Sequence, residues 1–149
     1  MLYINPFEQA RKLKRVIISF CMTLVVVTGF AGSYIESYAT GKRLYEYDGV
    51  YVKEYATGKR LYQVDGERIR DYKTGKIMYE YSSQFIKDYS TGRRLLEFDG
   101  PYVKEYSSGK RLLEFGGNYV KDYKTGKRLM ESTGVIPRVI VSLIVLGGL

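Results

Sequence analysis

The chain has 149 residues, with 24 Lys and Arg against 16 Asp and Glu, a formal charge of +8 and an isoelectric point near 9.4. That is the size of one domain with appendages, basic but without a dense polycationic run. Histidine and tryptophan are absent and the one cysteine, Cys21, lies in an apolar stretch, which argues against metal sites, Cys/His nucleophile pairs and internal disulfides.

Residues 1–15 form a basic N-terminal segment carrying Arg11, Lys12, Lys14 and Arg15. Next comes an uncharged run from Val16 to Ile35, about the ~20 residues a helix needs to cross a bilayer. We expect a transmembrane helix or signal segment over 16–33. The basic flank keeps the N-terminus cytoplasmic and sends the downstream chain outward. Gly29 and Ala31 would suit signal cleavage, but the repeat that fills the rest of the chain already begins at Gly32-Ser33-Tyr34-Ile35, in phase with Gly49-Val50-Tyr51-Val52. A retained single-pass anchor, with the repeat domain on the non-cytoplasmic side, is therefore the expectation; a secreted or cell-surface chain after cleavage is the alternative.

Residues 34–134 repeat every 17 positions, marked by Gly41, Gly58, Gly75, Gly92, Gly109 and Gly126. Each unit holds two alternating stretches of Tyr, Leu, Val and Phe, such as Lys42 to Tyr47 and Val50 to Tyr55, whose period of two indicates strands. Asp48-Gly49, Asp65-Gly66 and Asp99-Gly100 suit two-residue hairpin turns with positive φ at both positions, and Ala56-Thr57-Gly58 suits a three-residue loop with a G1 bulge. These loops set Tyr45 opposite Val52 and Arg43 opposite Glu54, then Val52 opposite Tyr62 and Glu54 opposite Arg60, so one set of residues keeps one face throughout.

These pairings give the fold class: mainly β, an antiparallel meander of 17-residue hairpin repeats. It has about twelve short strands, curled or closed because open sheets rarely exceed ~10. One face carries Tyr or Leu against Val or Ile, a neighbouring row with Tyr47, Phe98 and Phe115, and an Arg–acid ladder at the margin. The other is wet, with Lys and Arg stems lying over Tyr rings. A parallel solenoid would instead stack Lys42 on Lys59 and Lys76 at ~4.8 Å. The third unit departs from the pattern at Ile77, Ser82-Ser83 and Phe85, and Pro137 should end the sheet.

Residues 135–149 form a hydrophobic C-terminal tail, almost wholly apolar from Val139 to Leu149. It is too short to span a bilayer. It could dip into the membrane, dock on a partner or close the repeat domain; membrane or partner contact is the expectation, because an exposed apolar tail invites aggregation.

The Tyr-x-x-Gly-Lys-Arg-Leu element, as at Tyr55 to Leu61, resembles the core of YD-type repeats, and the regular Tyr and Gly of the hairpins are similar to MORN repeats. The resemblance covers the repeat region and implies hairpin repeats with a structural or binding role.

No catalytic, cofactor-binding or metal residues are assigned. Glu46, Glu80, Glu97, Glu114 and Glu131 read as a solvated column, and the Thr-Gly-Lys triplets lack the upstream glycine of a phosphate loop. The threonine column reads as turn chemistry. Between Tyr34 and Gly134 there are 19 Lys and Arg and 15 acids, a net of +4 that disfavours nucleic acid. The expected role is a non-enzymatic, membrane-anchored structural or accessory protein presenting a scaffold to a protein partner or to itself. Its interaction face would comprise Tyr51, Lys53, Tyr55, Tyr102, Lys104, Tyr119 and Lys121. The alternative is an exported repeat protein that assembles into fibres through free edges at Tyr34 and Lys127, or that binds an anionic surface polymer.

Overall fold

The computed structural model describes residues 32–149, so the helix expected over 16–33 lies outside the described residues, apart from its last two positions. Of these, Ser33 opens the first strand rather than ending a helix. Among the described residues no helix is long and apolar enough to cross a membrane.

Twelve strands form a closed antiparallel barrel. They are β1 (Ser33–Ser37), β2 (Arg43–Tyr47), β3 (Tyr51–Glu54), β4 (Arg60–Asp65), β5 (Arg68–Asp71), β6 (Ile77–Tyr81), β7 (Phe85–Asp88), β8 (Arg94–Asp99), β9 (Tyr102–Glu105), β10 (Arg111–Gly116), β11 (Tyr119–Asp122) and β12 (Arg128–Thr133). Each pairs with its sequence neighbours, and β12 returns to β1 with Tyr34 opposite Thr133. The Tyr38 N–H donates to the Leu129 carbonyl across this seam at 3.1 Å. The edges that fibre growth would use at Tyr34 and Lys127 are therefore joined to each other.

The tight turns sit one residue later than expected. Tyr47, not Tyr45, faces Val52, and Tyr45 faces Glu54. The aspartate stands outside the two central positions: Asp48 Oδ1 accepts the N–H groups of Val50 at 3.0 Å and Tyr51 at 2.7 Å. Only the glycine takes positive φ, 96° at Gly49, as in turns with glycine at the first central position. In the third unit Ser82 Oγ takes over the aspartate's role, accepting from Gln84 and Phe85 at 3.2 Å. The shift moves each pairing by two residues, so the faces survive.

The other loops have four residues. Glu54 N–H donates to the Lys59 carbonyl and Gly58 N–H to the Glu54 carbonyl, both at 2.9 Å. A bulge beyond Val52 absorbs the additional residue, so Val52 still faces Tyr62 as the repeat predicts. Closer to the loop the register differs: Arg60 lies opposite Lys53, not Glu54. The expected pairing of Arg43 and Arg60 with Glu54 therefore does not form; Arg43 instead faces Glu36 and pairs with it at 3.0 Å.

The inner face is built on one column per unit, Ile35, Val52, Ile69, Ile86, Val103 and Val120, each at most 1% exposed. About eight strands make a barrel whose lumen side chains alone can fill, so twelve leave space along the axis. The C-terminal segment fills it. Helix α1 (Arg138–Val145) has its six consecutive residues from Val139 to Ile144 buried, and they share a single core cluster with the inner strand residues. A helix buried on every side must lie within the core. Arg138 Nη1 donates to the Gly100 carbonyl at the tight-turn end at 2.8 Å, and beyond α1 the Gly148 carbonyl accepts Tyr79 Oη at 2.7 Å. The tail is thus the closing element of the domain, not an outward contact for lipid or partner.

Candidate functional site

With the lumen occupied, the chemistry open to other molecules lies on the outer wall and the two rims. Among the clefts that indent the described residues are one of about 270 Å³ lined by Tyr81, Ser82, Ser83, Phe98, Pro137, Arg138 and Val139, one of about 310 Å³ lined by Asp65, Glu67, Arg68 and Glu80, and a smaller one of about 120 Å³ beside Lys76 and Ser90. No cluster of metal-ligating side chains occurs among the described residues. Burial pushes the hydroxyls of the inner tyrosines Tyr47, Tyr62, Tyr79 and Tyr81 above the usual phenol range.

The outer wall is organised by the bulge. Because it turns Arg60 outward, the guanidinium lies 4.2 Å from the Tyr51 ring centre and 5.6 Å from that of Tyr72, and Nη1 donates to Tyr72 Oη at 3.3 Å. Arg43 lies likewise over Tyr34 and Tyr55, Arg94 over Phe85 and Tyr106, Arg111 over Tyr102 and Tyr123, and Arg128 over Tyr119 and Tyr38. The rings also meet edge to face, as Tyr51 and Tyr72 do with centres 5.5 Å apart. Bound tyrosine hydroxyls hold Arg60 and Arg111 further above their already high range.

This arrangement tolerates like charges in register. Lys104 faces Arg111 and Lys121 faces Arg128. The arginines lean onto aromatic faces while the lysines lean to acids on the other side. Lys53 Nζ reaches Asp48 at 2.7 Å and Glu46 at 3.6 Å, Lys104 reaches Asp99 at 2.5 Å, and Lys121 reaches Glu114 at 2.9 Å. For Asp48, partial burial works to raise the carboxyl, but Lys53 and the two turn N–H groups prevail and lower it.

All seven residues expected to form the interaction face point outward and none is buried, but closure does not bring them together: Tyr51, Lys53 and Tyr55 at β3 lie across the barrel from Tyr102 and Lys104 on β9, with Tyr119 and Lys121 nearby on β11. They fall into two kinds. Tyr51, Tyr55, Tyr102 and Tyr119 are plates in the arginine stacks, whereas Lys53, Lys104 and Lys121 are neutralised by neighbouring acids. The sequence predicts Lys and Arg stems over Tyr rings on this wet face, but it pairs Arg43 and Arg60 with acids at the margin of the other face and leaves the arginines out of the candidate residues.

The third unit breaks the belt. Ile77 stands in the arginine position and Arg68 in the tyrosine position, so the cation reaches Tyr89 from the other strand, 5.6 Å from its ring centre. Comparison with known protein families, with curated proteins and with solved structures finds no match to this chain.

Proposed function

We propose that this is a membrane-attached accessory protein that acts without catalysis, its barrel offering the outer wall as a docking surface for a partner protein. The observation that carries the reading is that the chain fills its own lumen with α1, which leaves the outside of the barrel, its wall and rims, for molecular contact. Its aromatic plates and arginines are residue types enriched where proteins meet. Attachment rests on the apolar run over 16–33 behind a basic flank.

Of the seven residues, Tyr102, Lys104, Tyr119 and Lys121 are near neighbours on β9 and β11 and form the docking face, whereas Tyr51, Lys53 and Tyr55 belong to the far side of the closed barrel. The test is purification from native membranes in mild detergent, with intact-mass measurement of the molecules that accompany the chain. A full-length chain in fixed stoichiometry with a membrane protein is expected, and Tyr102→Ser with Tyr119→Ser should break that association while the barrel stays folded. A truncated chain recovered alone, or an association indifferent to these substitutions, would contradict the reading.

A further inference from the structure

The charge of the barrel is segregated along its axis. The six wide-turn segments, each running from the last residue of one strand to the first of the next, as Glu54 to Arg60, carry 13 Lys and Arg against five acids, a net of +8. The remaining strand and tight-turn residues from Tyr34 to Gly134 carry six against ten, a net of −4. The modest total of +4 conceals a strongly basic rim.

Each wide turn has the same parts. The cation after its glycine, Lys42, Lys59, Lys76, Arg93, Lys110 or Lys127, is exposed and takes part in no ion pair among the described residues. The residue that follows the last strand position is a tyrosine, 40–43% exposed. In five turns an acid binds the turn's own hydroxyl, as Glu54 accepts from Thr57 Oγ1 at 2.6 Å and Asp71 from Thr74 Oγ1 at 2.7 Å. The tips carry Ala, Ser, Lys and Thr, so no large apolar side chain is offered there for insertion into a bilayer. Chain entry at Ser33 is on the opposite rim, beside Tyr47 and the tight turns.

We propose that this rim binds a linear, sparsely anionic glycan, with one acid group per disaccharide, whose sugar faces stack on the tyrosines and whose acid groups pair with the lysines and arginines. Three features select that ligand. Six equivalent stations suit a repeating polymer better than a folded partner with a single epitope. Neighbouring turns are two strands apart, ~10 Å, comparable to the length of a disaccharide. The carboxylate in five of the turns opposes a polymer with an anion on every residue, as in a nucleic acid, but tolerates one on every second sugar. Individual contacts are weak, and engagement of two or three adjacent turns multiplies them.

The test is calorimetric titration of the full-length chain in mild detergent with hyaluronan oligosaccharides of increasing length. Uncharged chitin oligosaccharides, single-stranded DNA and anionic phosphatidylglycerol vesicles serve as comparison ligands. Hyaluronan affinity should rise with length and level off once about three turns are spanned, while chitin oligosaccharides bind more weakly. Lys59→Glu with Lys76→Glu should lower affinity about tenfold or more at low salt. Both residues are exposed and unpaired, so the thermal melt should not move; were it to move, Lys59→Gln with Lys76→Gln gives the same comparison. Tyr72→Ser should weaken binding without changing its salt dependence. Absence of hyaluronan binding, tighter binding of DNA or vesicles, or indifference to the lysine substitutions would overturn the proposal.

Discussion

Replacing Ile140 by alanine separates a helix inside the barrel from an apolar tail that leaves it. Ile140 is fully buried at 0% exposure among the Val, Ile and Leu side chains of the inner wall and α1. Truncating such a side chain costs about 2–5 kcal/mol, because the lost transfer energy is joined by the cavity left behind. For a domain of this size each kcal/mol moves the melting midpoint by roughly 3–6 °C, so a fall of roughly 6–30 °C is expected. Val135, 88% exposed just outside the helix, is the matched control. Val135→Ala should stay within about 0.5 kcal/mol of the parent. Thermal unfolding followed by far-ultraviolet circular dichroism, with the chain free of any partner, reads both. A melt for Ile140→Ala within about 2 °C of the parent would refute the argument, since the loss of ~2 kcal/mol or more that a filled lumen demands would be missing.

Other consequences are open to similar measurement. Ser142 is the polar residue inside α1, its hydroxyl wholly buried with no hydrogen-bond partner, so Ser142→Ala should raise the melting temperature or leave it unchanged; a clear fall would mean the hydroxyl is bonded. In the third unit, Ile77→Arg alone sets a second guanidinium beside Arg68 and should lower the melt. Adding Arg68→Tyr rebuilds the stack seen at Tyr51, Arg60 and Tyr72, so the double variant should recover it; additive effects would show that the two positions do not communicate. The Asp88 carboxyl is held at about 2 by hydrogen bonds from the Ser90 hydroxyl and from the N–H and hydroxyl of Thr91. Unfolded aspartate titrates near ~3.9, so this depressed value gives stability that is complete above about pH 4 and lost as pH falls through about 2. Asp71 and Asp122 are lowered by the same threonine contacts. The melt should therefore decline across that acid window, less steeply in Thr91→Val, and a decline centred above about pH 5 would contradict the turn chemistry.

Much of the barrel was legible because period and repeat reinforce each other. A residue recurring every 17 positions and alternating within its strand has one face available, which marked the Val and Ile column from Ile35 to Val120 as core. The tight-turn error did no damage, because a displacement of two residues preserves side-chain parity. The wide-turn error was of another kind. A three-residue loop and a four-residue loop with a bulge after it give the same pairing at Val52, so the sequence pattern could not distinguish them, yet only the bulge turns Arg60 outward onto Tyr51. Arginine stems over tyrosine rings were expected on the outer face, but that Arg60 and its counterparts supply them was hidden for that reason. The tail was misjudged because its destination is created by closure: until twelve strands form a ring, Val139 to Ile144 have no cavity to occupy. Charge segregation escaped notice because a domain-wide total discards position along the axis.

Closure joined to lumen filling is the central claim, and the seam between β1 and β12 tests it most directly. Native-state hydrogen exchange on the full-length chain would track the Tyr38 amide, which donates to Leu129 across the seam, beside the Tyr72 and Tyr106 amides, which make the same bond within the wall to Leu61 and Leu95. A closed barrel gives Tyr38 protection comparable to its counterparts, because all open only with the cooperative unit. Exchange of Tyr38 at the rate of an exposed amide, with Tyr72 and Tyr106 still protected, would mean that the strands form an open sheet.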